Sequence, residues 1–150
     1  MIRYSSTGNV GQSAARKIQE EIGTIKREWW QGAIGFDVES FGQPQVLSGQ
    51  TPLFHQTGIP DEDDLFMAFA DAAFILDRLA SWSKRFKIKW HLRMNDEDWG
   101  SIDPTGLSRA LLDQMEKWSR RARVVSEGRG RWTVPEDRRA DLLRRHSGRR

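Results

Sequence analysis

Between Leu65 and Leu76 the chain carries a single charge, Asp71, and this apolar run is bracketed by Asp61-Glu62-Asp63-Asp64 before it and Lys84-Arg85 after it. Acids in the first turn of a helix and cations in its last turn both complement the helix dipole, so the pattern predicts one helix over residues 61–86. A helix that is apolar round most of its circumference has to be covered by a sheet, by other helices or by a second copy of the chain. Asp71 falls on a thin strip with Asp64, Ala68 and Arg78 at helical spacing, and this strip is expected to be the solvent-facing line.

Other elements follow from period. Residues 86–94 alternate strictly, with Phe86, Ile88, Trp90, Leu92 and Met94 on one face and Lys87, Lys89, His91 and Arg93 on the other, which predicts a half-buried strand. Ile34, Phe36 and Val38 alternate with Gly35, Asp37 and Glu39 in the same way. Gly42-Gln43-Pro44 then turns that strand into a short return over residues 45–47. Ile18, Ile22, Ile25 and Trp29 mark one face of an earlier helix with Ser13 as its cap. Leu107, Leu111, Met115, Trp118 and Ala122 mark one face of a later helix over residues 105–123. Residues 95–103 read as a turn-rich acidic segment, 124–134 as a small hairpin, and Pro135 introduces a short basic helix.

The expected fold is α+β. A small antiparallel or mixed sheet of about three strands packs against the central 61–86 helix and two further helices, followed by the C-terminal hairpin and short basic helix. Residues 1–12, small and polar, are expected to be a flexible N-terminus, 13–134 a single α+β domain, and 135–150 a basic helix and tail.

Composition removes whole classes of chemistry. The 150 residues include no Cys, which excludes disulfides, thiolate metal sites and a thiol nucleophile. Histidine occurs only at 55, 91 and 146. No cofactor is expected. No run approaches the roughly 18–20 apolar residues of a membrane span, and no secretory leader is evident, so a cytoplasmic protein without membrane contact is expected.

Charge is divided unevenly. Residues 1–115 hold twelve Lys and Arg against sixteen Asp and Glu, whereas 116–150 hold twelve against five, and eleven of those twelve are Arg. Arg120, Arg121, Arg123, Arg129, Arg131, Arg138 and Arg139 form a candidate nucleic-acid surface, because guanidinium groups make bidentate contacts to phosphates and binding releases counterions. A helix followed by a glycine-turned hairpin, with Arg at its tip and Trp132 beside it, resembles the recognition helix and wing of winged-helix domains. In this chain a strand, not two helices, precedes that helix.

Asp37 and Glu39, two apart on a predicted strand, share one face, and paired carboxylates are what a divalent cation requires. The stretch Gly35-Phe36-Asp37-Val38-Glu39-Ser40 resembles the first motif of the DEDD-type 3′–5′ exonucleases. His91 and Asp96 stand at the spacing of that family's third motif, with Asp71 or Asp77 available as the remaining acid. The resemblance implies a metal-dependent nuclease holding its ions on Asp37 and Glu39. It departs from the family in that His91 belongs to a strand, where the family uses a helix.

No nucleophile elbow and no phosphate-binding glycine loop occurs. Tryptophans stand at predicted element ends and turns, including Trp30, Trp99 and Trp132, where large aromatics anchor interfaces. The leading expectation is therefore a non-enzymatic interaction protein of the accessory, adaptor or inhibitor kind. It would bind a protein partner through Trp99, Asp96, Asp98 and Trp30, with the apolar helix as a homodimer face. Nucleic-acid binding through the Arg-rich end is the second expectation, and the exonuclease the third.

Overall fold

The computed structural model describes residues 1–28, 36–53 and 61–147. Trp29, Trp30, the segment Ala33–Gly35 and His55 lie outside these residues.

The sequence-based picture of three strands is wrong: the main sheet has six, in the order β2-β3-β1-β4-β5-β6, and a separate hairpin adds two more. The chain runs β1 (Ile2–Thr7), α1 (Gln12–Glu28), β2 (Glu39–Phe41), β3 (Val46–Thr51), α2 (Glu62–Phe86), β4 (Lys89–Met94), β5 (Glu97–Asp103), β6 (Gly106–Leu107), α3 (Arg109–Ala122), β7 (Val125–Gly128), β8 (Arg131–Thr133) and α4 (Glu136–Ser147). All neighbouring strands are antiparallel. Residues 2–7 are thus no loose end; they form the strand between β3 and β4. The first six elements form two interleaved β-α-β units, each split by a strand of the other.

Helices cover one face of the sheet. Ile2, Tyr4, Leu47, Trp90, Leu92 and Ile102 point to that side and are buried, together with Ile18 and Ile22 of α1 and Phe66, Phe69, Ile75, Leu79 and Trp82 of α2. Arg3, Ser5, Lys89, His91 and Arg93 alternate onto the other, open face. The helix begins at Glu62 because Asp61 and Asp64 form a reciprocal capping box, and it ends where Lys87 turns left-handed at φ 57°. That turn stops the alternation of residues 86–94 from becoming strand before Lys89. Of the expected strand, residues 33–35 lie outside the described residues and 36–38 are not strand, which leaves Glu39–Phe41, although Phe36 and Val38 are buried.

One close approach fixes the centre of the sheet. The Tyr4 hydroxyl donates to the Asp37 carbonyl at 2.8 Å and shares a hydrogen bond of 2.8 Å with Thr51 Oγ1. Its ring lies against Gly49, where a Cβ would collide with the Tyr4 ring and the Asp37 carbonyl. Burial pushes the Tyr4 phenol up to about 12.

The strip expected to face solvent on α2 does so only in part: Ala68 and Arg78 are half-buried, whereas Asp64 and Asp71 are buried. Asp71 is buried because α4 lies across it and presents Arg139, whose Nη2 donates to Asp71 Oδ1 at 3.1 Å. The sheet, α3 and α4 pack around α2 and bury most of its apolar residues, Phe66, Phe69, Ile75, Leu79 and Trp82 among them.

Candidate interaction surfaces

Trp99 is placed by an irregularity. In the β4–β5 ladder Leu92 pairs with Gly100 and Arg93 with Asp98, so Trp99 is the extra, unpaired residue of a β-bulge. Its indole turns toward α3 and meets Trp118 edge-on, centroids 6.0 Å apart. The contact continues through Trp118 to Phe69 at 5.7 Å and from Phe69 to Trp132 at 5.6 Å. Beside Trp99 opens a groove of about 610 Å³, whose apolar walls include Leu65, Ala68, Met94 and Trp118. Gln114, Lys117 and Arg121, on successive turns of α3, line the same groove. Lys117 and Arg121 have no acidic partner among the described residues. Trp99 Nε1–H is buried without an acceptor among those residues.

The acidic residues expected to share this surface lie elsewhere. Asp96 pairs with Arg3 at 3.0 Å, and Asp98 lies 3.5 Å from His91 Nε2, so both belong to the open face of the sheet. The bulge is what divides them from Trp99. Trp30 lies outside the described residues.

The open face holds the carboxylate pair. Asp37, Glu39, Arg3, His91 and Arg93 line a shallow cavity of about 420 Å³. His91 lines the same cavity as Asp37 and Glu39. Asp37 Oδ1 accepts the Val38 N–H, and among the described residues no group of three His, Asp or Glu is placed to hold a metal ion. Asp71 lies on the helical side with Arg139, and Asp77 pairs with Arg78, so neither completes the set.

Three of the seven candidate arginines are spent on ion pairs. Arg139 is buried against Asp71 and has no surface for a phosphate; burial lowers its basicity, while Asp71 and Glu136 oppose that shift. Arg138 reaches Asp63 at 3.2 Å and lies over the Phe66 ring, and Arg123 pairs with Glu62 at 3.0 Å. The acids at the start of α2 thus neutralise cations that looked free in the sequence. Arg120 donates to the Glu116 carbonyl, Arg121 joins the Trp99 groove, and Arg129 and Arg131 flank the exposed hairpin turn. α3 buries Leu111, Leu112, Met115, Ser119 and Ala122, leaving its exposed side as the groove wall.

Gln114, Leu65 and Met94 were not read from the sequence as lining this groove. The spacing of Gln114, Lys117, Trp118 and Arg121 on one face of a helix was the available signal. Compared with known protein families, curated proteins and solved structures, the chain matches none.

Proposed function

We propose that this chain is a non-enzymatic interaction protein whose groove beside Trp99 receives a segment of a protein partner. The segment is an apolar anchor flanked by acidic residues. One observation carries the reading: an apolar groove of about 610 Å³, walled by Trp99, Trp118, Leu65 and Met94, has along one side two cations, Lys117 and Arg121, without an acidic partner among the described residues. Aromatic walls supply contact area at low entropic cost, and the cations select the partner's charge and speed its approach. A cysteine-free chain suits a cytoplasmic setting for this role. Among the described residues no helix is long and apolar enough to cross a membrane.

The test is selection of peptides from a random displayed library, followed by titration of the enriched sequences against intrinsic tryptophan fluorescence. Enriched peptides should combine one large apolar residue with Asp or Glu, and should shift the emission saturably. Lys117→Glu combined with Arg121→Glu should weaken them by about tenfold or more, since like charges then face each other. Both sites are exposed helix positions, so the fold should survive. Enrichment without acidic residues, or unchanged affinity in the charge-reversed variant, overturns the reading.

A further inference from the structure

A second cleft gathers cations that the sequence separates widely. Arg78 and Lys84 on α2 and Arg129 and Arg131 at the turn of the β7–β8 hairpin line one cavity of about 450 Å³. The placement of the hairpin explains the convergence. Gly130, at φ 80°, has space for a Cβ only at 3.4 Å from Leu112 and 3.8 Å from Leu107, so the turn is seated on α3 and β6. That seating carries Arg129 and Arg131 toward α2.

The charges in the cleft do not cancel. Arg78 is matched by Asp77 at 3.0 Å. Asp103 is the other carboxylate in the wall, and Oδ1 accepts the backbone N–H of Thr105 at 2.8 Å as well as its hydroxyl. Lys84, Arg129 and Arg131 are exposed and have no acidic partner among the described residues. Arg78 Nε–H is buried without an acceptor among the described residues. Trp132 forms part of the same wall, next to the guanidinium-bearing turn. Cationic forks beside an aromatic surface suit a ligand that joins phosphate to a planar ring.

We propose that this cleft binds a nucleotide unit, with its phosphate on Arg129, Arg131 and Lys84 and its base toward Trp132. The unit is either free or one residue of a single strand. This site is separate from the Trp99 groove and does not depend on it. It replaces the broad Arg-rich surface with a local one: Arg78 and Lys84 enter, while Arg120, Arg121, Arg123, Arg138 and Arg139 leave.

Two probes distinguish the sources. Fluorescence anisotropy with a short labelled oligothymidylate measures strand binding, and adenosine triphosphate added as competitor measures the free nucleotide. Arg129→Ala combined with Arg131→Ala should weaken binding by about tenfold or more, and Lys84→Ala by several-fold, with a shallower salt dependence in each. Arg16→Ala, an exposed cation on α1, is the control and should leave affinity unchanged. Circular dichroism checks that each variant is folded. Displacement by the triphosphate assigns the cleft to free nucleotides, and strand binding that resists it assigns the cleft to single strands. The proposal is overturned if neither probe binds at low salt, if the double variant binds like the parent, or if Arg16→Ala loses as much.

Discussion

Arg139 and Asp71, 68 residues apart, form an ion pair of 3.1 Å with both side chains almost wholly removed from solvent. The pair pins α4 to the middle of α2 and neutralises the one charge between Leu65 and Leu76. Removing one partner leaves the other charged and dry.

Asp71→Ala is therefore expected to cost about 3–5 kcal/mol, because the Arg139 charge stays buried without its counterion. Replacing both residues, Asp71→Leu with Arg139→Met, should cost much less, since no buried charge remains. Urea denaturation of the two variants checks this. A single substitution no worse than the double one would show that the pair is not desolvated in solution.

The lone tyrosine gives a spectroscopic reading of the sheet's centre. Its phenol is raised from 10.0 to about 12 by burial, so the folded protein should show no tyrosinate absorbance step until about pH 12. The folded value lies above the unfolded one, so the stabilisation is complete below pH 10. It is lost between pH 10 and about 12, an amount of roughly 2–3 kcal/mol. Thr51→Val should leave the hydroxyl one partner fewer and lower stability by about 1 kcal/mol.

Gly100 has φ 120°, and a Cβ there would press on Ser108 Oγ and lie 3.1 Å from the Leu111 nitrogen. Ser108 Oγ accepts hydrogen bonds from Ser101 N at 3.0 Å and Leu111 N at 3.4 Å, and so caps α3. Gly100→Ala is expected to cost at least about 2 kcal/mol by combining backbone strain with a displaced cap. Ser108→Ala alone, which removes the cap and the acceptor for Ser101 N–H but adds no backbone strain, should cost at least about 1 kcal/mol by thermal denaturation.

Asp61→Ala should lower stability by about 1 kcal/mol, because it deletes the acceptor for the Asp64 N–H at 2.9 Å while leaving the dipole-facing acids in place. Asp61→Asn keeps that acceptor and should recover most of the loss. Chemical denaturation of the two variants separates capping from charge.

What could be read from sequence was what local period and end chemistry specify. The α2 helix carries its own start, apolar body and stop, and β4 alternates cleanly from Lys89 to Met94. β1 was hidden because Ser6 faces inward, where its Oγ accepts the Leu47 N–H at 2.7 Å, so polarity does not alternate with burial. β5 was hidden because the bulge at Trp99 breaks its period of two. The candidate sites suffered more. Trp99 stood out as a large aromatic at a turn, but the bulge that parts it from Asp96 and Asp98 has no local signature. Arg138 and Arg139 looked like available cations because Asp63 and Asp71 lie far away along the chain. Arg78 and Lys84 gave no sign of joining Arg129 and Arg131, since their meeting depends on where the hairpin is seated.

The position of β1 also sets an order of events. Its two neighbours begin at Val46 and Lys89, and Ile2 pairs with both Thr51 and Met94. The strand that comes first in the chain therefore cannot be secured until the later ones have formed, and the contacts it makes are among the most distant in sequence. Such long closures slow folding. Until β1 arrives, β3 and β4 each expose a bare hydrogen-bonding edge, the kind that pairs readily with another molecule. The six residues of β1 close the middle of the sheet, and a chain without them would leave the facing edges of β3 and β4 open.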